Sequence, residues 1–156
     1  MDLSKKVKIA LDETRILILG AQILLGFQFR GVFSDGYEQL PTHARYLDGV
    51  ALGLMVCVVG LLITPGPYHR IVEDGEDSGN FHRLVTVRAD LALLPFALAL
   101  GLDFFTAGRV FGEVAGAAAG TAATAVAVGF WYGFPRVRRR RRPFLGVLLL
   151  AYYDPG

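Results

Sequence analysis

The chain has a single cysteine, Cys57, and few charges: Asp, Glu, Lys and Arg make up 19% of its 156 residues. A lone cysteine excludes an internal disulfide framework, and because Cys57 sits in an apolar run it is expected to be a small buried filler. Low charge with abundant apolar residues excludes a disordered or collagen-like chain. None of the three histidines falls inside an apolar run, since His43 precedes the second run and His69 and His82 follow it. An axial pair clasping a haem between helices is thereby excluded. No G-x-S-x-G or Walker sequence occurs, and no histidine or carboxylate pair has metal-ligand spacing on a helix. The expectation is no enzymatic activity, no cofactor and no metal. No motif is duplicated, so an inverted-repeat transporter gains no support.

What the chain does have is apolar length. Hydrophobic residues make up 53% and the mean hydropathy is +0.44, a membrane composition. A hydrocarbon core about 30 Å thick needs roughly 20 apolar residues at about 1.5 Å each. Residues 16–33, 49–64, 91–105 and 115–134 meet or approach that length. Peptide groups in lipid must be satisfied within their own segment, so these runs are expected to be helices. The expected fold is all-α, an integral membrane antiparallel four-helix bundle over residues 1–135, with a basic and apolar tail over 136–156. The first helix is expected to start early, with Asp2 or Ser4 as N-cap, and no small-residue cleavage site follows it.

Orientation follows from the cations, which resist translocation. Lys5, Lys6, Lys8, Arg15, Arg70, Arg83, Arg88 and the C-terminal arginines lie on one side, and only Arg30, Arg45 and Arg109 on the other. Both termini are therefore expected in the cytoplasm, with the protein multi-pass in the cytoplasmic membrane. The connection from 65 to 88 contains EDGEDSGN and is expected to be a flexible hairpin.

Polar groups at membrane depth are costly unless paired or wet. Arg15 and Gln22 lie seven apart, with Asp12, Leu19 and Gly26 alongside, and this stripe is expected to face the bundle interior. Asp90 matches Arg15 in depth and Asp103 matches Arg30, so two ion pairs between the first and third apolar helices are available if Pro95 bends the third. The plainer alternative is that these charges snorkel to the interface. Gly116 with Gly120, Gly129 with Gly133, and Gly49 with Gly53 have the small-xxx-small spacing that lets helices approach. Intrachain packing is the expected use, a homodimer through the last helix the alternative. Arg136, Arg138, Arg139, Arg140, Arg141 and Arg142 follow Trp131, Tyr132 and Phe134 as positive anchors behind an aromatic belt. Their expected partners are the bilayer and its anionic lipid head groups, not nucleic acid.

Glu13-Thr14-Arg15, Gly20-Ala21-Gln22, Gly26-Phe27, Thr64-Pro65-Gly66-Pro67-Tyr68-His69-Arg70 and Ala89-Asp90 occur in that order. In these elements the chain resembles, over nearly its whole length, a family of small prokaryotic four-helix integral membrane proteins catalogued as a domain of unknown function. The resemblance implies a four-helix membrane protein with no assigned activity. Glu13, Arg15, His69, Arg70 and Asp90 all fall at the cytoplasmic boundary. If their helices are neighbours, they form one polar cluster that satisfies helix ends. A pH-responsive gate through His69 is the alternative. The functional expectation is a non-enzymatic scaffold or accessory subunit. The alternative is a small oligomeric ion channel or transporter, with a polar pathway between the first and third apolar helices lined by Arg15, Gln22 and Asp90. A quinone-binding redox protein is a third reading, and it predicts a coloured or quinone-loaded preparation.

Overall fold

A computed structural model describes residues 3–72 and 78–137. Their regular structure is entirely helical: α1 (Leu3–Val32), a 3-10 turn (Tyr37–Gln39), α2 (Thr42–Ile63), the short α3 (Pro65–Ile71) and α4 (Gly79–Gly108). A second 3-10 turn (Arg109–Phe111) leads to α5 (Glu113–Val128), which runs on into a π-helical segment (Gly129–Gly133). Gly112, in the turn before α5, has a φ of 116°, where a side chain would be strained.

The helices outrun the apolar stretches that announce them. α2 begins at Thr42 and α4 at Gly79, because the polar turns ahead of each apolar run still cover an inward face through Ala44, Phe81 and Val85. Ser78 caps α4, its Oγ accepting the Phe81 N–H at 3.0 Å from an extended backbone. The hairpin expected from 65 to 88 is therefore helical at both ends, and residues 73–77 lie outside the described residues. Ser4 lies inside α1 and does not cap it. Pro65 separates α2 from α3, having no N–H to continue the ladder and a φ suited to a first turn.

The main core joins Ala21 of α1, Met55, Val58 and Leu62 of α2, and Ala92, Phe96 and Ala99 of α4. Val7, Phe81 and Val85 form a smaller cluster. The buried residues of α1, Val7, Thr14, Ala21 and Gln28, recur every seventh position and trace one seam. This overturns the expected stripe: Asp12, Arg15, Leu19, Gln22 and Gly26 are all exposed. The small side chains of Thr14 and Ala21 let α1 seat closely on its neighbours, whereas Arg15 and Gln22 would have to be desolvated there. Cys57 is likewise exposed and fills no gap.

α5 seats on α4 through glycines. A Cβ on Gly120 would lie 2.6 Å from the Gly101 carbonyl oxygen, and one on Gly116 would lie 2.8 Å from that of Phe105. Gly116 and Gly120 are thus covered within the chain. Gly49 and Gly53, expected as helix-packing residues, are exposed with open space where a Cβ would stand, as is the space at Gly129 and Gly133.

Among the described residues, three helical stretches are long and apolar enough to cross a membrane: Thr42–Ile71, Gly79–Phe111 and Glu113–Val137. α1, expected as a fourth span, is not among them; Gln22, Gln28 and Arg30 interrupt its apolar run.

Candidate functional site

The seam of α1 ends in a polar contact with α4. Gln28 is 6% exposed, and its Nε2 donates to both carboxylate oxygens of Asp103, at 2.9 and 3.0 Å. Arg30, the expected partner of Asp103, is exposed: two residues beyond Gln28, it lies about 200° around the helix. Gln28 Oε1 is buried without a partner among the described residues, as is the Thr106 hydroxyl, one turn beyond Asp103 on α4. Asp48 of α2 is close enough to act electrostatically on Asp103 and on the Tyr37 phenol, whose hydroxyl donates to the Arg45 carbonyl at 3.4 Å. Burial, and then the Asp48 carboxylate, hold the Tyr37 phenol above its ordinary pKa. The Arg109 guanidinium contacts the His43 ring, closing the start of α2 onto the end of α4. This end of the molecule is thus a set of acceptor-rich side chains shared by three helices.

At the opposite end the five residues expected to cluster are divided. Arg15 pairs with Asp12 on its own helix at 3.1 Å, an exposed pair that adds little to stability. His69, on α3, packs against Phe81 with ring centroids 4.4 Å apart. Arg15 and His69 line the same cavity of about 330 Å³, together with Thr14, Pro65 and Phe81. Asp90 is turned elsewhere: its backbone oxygen accepts the Tyr132 hydroxyl at 2.9 Å, and it lines a separate cleft with Trp131, Tyr132 and Arg136. The expected Arg15–Asp90 pair is therefore not formed. Glu13 and Arg70 are exposed. Arg136 donates to the Tyr132 carbonyl at 3.0 Å and lies over its ring, 5.1 Å from the centroid. Arg138 to Arg142 lie outside the described residues.

Between the two polar ends lie Ala21, Met55, Val58, Leu62, Ala92, Phe96 and Ala99. This interior offers no proton or ion a succession of polar partners. Among the described residues, no group of three or more His, Cys, Asp or Glu is arranged to hold a metal ion.

The profile of DUF6328, a family of unknown function, matches residues 3–135. The chain belongs to that family. The DUF6328 region takes in α1 to α5, the glycine-mediated α4–α5 contact and the Gln28–Asp103 contact, and it stops just short of Arg136. No curated protein and no solved structure matches the chain.

Gln28 is the residue that reading the sequence missed. Its signal was present in the seventh-position series Val7, Thr14, Ala21, whose next member it is. The more polar series one residue along, Arg15 and Gln22, lies on the outward face.

Proposed function

We propose that this DUF6328 protein is a non-enzymatic integral membrane protein of scaffold or accessory-subunit type, with its helices packed antiparallel in the cytoplasmic membrane. The observation that carries the reading is the apolar interior formed by Ala21, Met55, Val58, Leu62, Ala92, Phe96 and Ala99 between two polar ends. A bundle closed in this way holds helices together and presents its outer faces to partners.

Those outer faces support a hydrocarbon surrounding. Ile16, Ile23 and Phe27 of α1, Val50 and Val56 of α2, Leu91 and Leu94 of α4, and Phe130 beyond α5 are all at least half exposed. At roughly 25 cal/mol per Å² of apolar surface, water is a poor solvent for them. The close approaches of Gly108 to Gly116 and of Gly101 to Gly120 and Thr124 support antiparallel α4 and α5, since rising numbers on one helix meet falling numbers on the other. α1 serves as the fourth span because Gln28, one of the residues that lower its hydropathy, has its amide nitrogen bonded to Asp103 inside the protein. The cation asymmetry supports cytoplasmic termini. The partners in this reading are the bilayer and its anionic lipids.

The channel reading requires Arg15, Gln22 and Asp90 to line a common path. Gln22 is exposed, Arg15 pairs with Asp12, and Asp90 faces the end of α5, so it is the less favoured. The test is flux of K⁺, Na⁺, Cl⁻ and protons in proteoliposomes holding the full chain. The expected flux equals that of empty liposomes. Flux above that level, lost in Gln22→Leu with the fold intact, overturns the scaffold reading.

A further inference from the structure

The cleft at the junction of α4 and the end of α5 has a volume of about 570 Å³ and contains two opposite charges that do not meet. Asp90 and Arg136 both line it, yet the ion pair present among the described residues joins Arg15 to Asp12 and not these two. Their spacing is held by a short series of contacts. The Tyr132 hydroxyl donates to the Asp90 backbone oxygen, and Arg136 in turn donates to the Tyr132 carbonyl and rests on its ring. The π-helical segment Gly129–Gly133 carries Trp131 and Tyr132 into place; such a widened turn recurs at functional sites. Trp131 packs on Phe96 of α4 with ring centroids 5.5 Å apart, which anchors the cleft wall to the core. The remaining walls are apolar: Val87, Leu91, Leu94 and Pro135.

We propose that this cleft holds the head group of an amine-bearing phospholipid of the phosphatidylethanolamine type. The phosphate sits on Arg136 and the primary ammonium on Asp90, with an acyl chain along Leu91 and Leu94. Arg136 spends one of its five N–H groups on Tyr132 and keeps the rest for a phosphate, which guanidinium geometry favours. Asp90 makes no side-chain hydrogen bond or ion pair with any described residue, so its carboxylate is open to a cationic donor. A zwitterion satisfies both charges at once. An anionic lipid without an amine would leave Asp90 unpaired beside it, and a quaternary choline offers Asp90 no N–H. The position suits a head group, because Trp131, Tyr132 and Arg136 close the apolar stretch Glu113–Val137.

The inference rests on the membrane reading above, and one preparation separates the two. Recovery of the full chain in plain buffer without amphiphile sinks the membrane reading, and with it this one. Given detergent-solubilised protein, native mass spectrometry is run after addition of dioleoyl phosphatidylethanolamine, phosphatidylcholine or phosphatidylglycerol. The wild type is expected to retain phosphatidylethanolamine about fivefold over phosphatidylcholine, as befits one charge-assisted hydrogen bond near water. Asp90→Asn should bring that ratio close to one, and Arg136→Gln should lower retention of phosphatidylethanolamine. Both side chains belong to exposed residues, and an unchanged melting temperature verifies the fold. Equal retention of the two zwitterions by the wild type overturns the proposal, as does a ratio unmoved by Asp90→Asn. Preferred retention of phosphatidylglycerol assigns the cleft to anionic lipid and overturns it as well. Retention of no phospholipid means that the cleft is filled by protein, and has the same consequence.

Discussion

Gln28 of α1 and Asp103 of α4 are joined by two hydrogen bonds across 75 positions of sequence, with one amide nitrogen serving both carboxylate oxygens. The contact terminates the seam Val7, Thr14, Ala21, Gln28 and so decides where along α4 the first helix rests. Replacing Gln28 by Leu is expected to destabilise the protein by about 1–2 kcal/mol, since the bond is lost and a partly buried carboxylate loses its donor. Asp103→Asn should cost less, because its amide oxygen still accepts. Reversible unfolding in bicelles measures both; a Gln28→Leu variant as stable as the parent would show that the contact holds nothing.

The two glycine pairs should behave oppositely. Gly120→Ala forces a methyl group to within 2.6 Å of the Gly101 oxygen and 2.9 Å of the Phe105 Cβ. A loss of about 1–3 kcal/mol is expected, as for other overpacked sites. Gly53→Ala meets nothing within 4 Å and should gain about 0.5–1 kcal/mol from helix propensity. Thermal unfolding in detergent ranks them, and the reverse order would contradict the α4–α5 packing.

Ser78→Ala removes the acceptor of the Phe81 N–H and should cost about 1 kcal/mol, whereas Ser78→Gly should cost only a few tenths. Amide exchange at Phe81 is the sensitive readout. It is expected to quicken in Ser78→Ala, and unchanged protection there would mean that α4 does not need its cap.

Tyr37 gives the alkaline prediction. Burial first, and the Asp48 carboxylate second, raise its pKa above the ordinary value of 10.0. A raised folded-state value means that its share of stability is fully present below pH 10 and is lost as pH rises through the folded value. The difference in tyrosinate absorbance between wild type and Tyr37→Phe should therefore stay small at pH 10 and grow above it. Half-ionisation at or below pH 10 would place Tyr37 in open water.

Much of this was legible in the residues. Each of the four apolar runs falls on helix but for Phe33 and Thr64, the last residues of the first two, and Gly116 and Gly120 carried the small-residue signal of the packed helix pair. The helix starts were not legible, because Thr42 to Asp48 and Gly79 to Asp90 are rich in polar residues and join their helices only by covering Ala44, Phe81 and Val85. Gly49 and Gly53 have the same spacing as Gly116 and Gly120, yet they face outward. Spacing says that a helix can be approached closely, not which neighbour approaches it.

Composition and local order alone made this chain helical and apolar, because long apolar runs without strand alternation pair their own peptide groups four residues apart. The rotation of each helix about its own axis was decided only in the assembled structure. Thr14 with Ala21 and Arg15 with Gln22 are parallel stripes one residue apart, separated by about 100° of helix turn. Which of them faces inward depends on how closely α2 and α4 can pack on it and on what must be desolvated there. Small residues won, and the seam that they trace delivered Gln28 to Asp103 and left Arg15 and Gln22 outside.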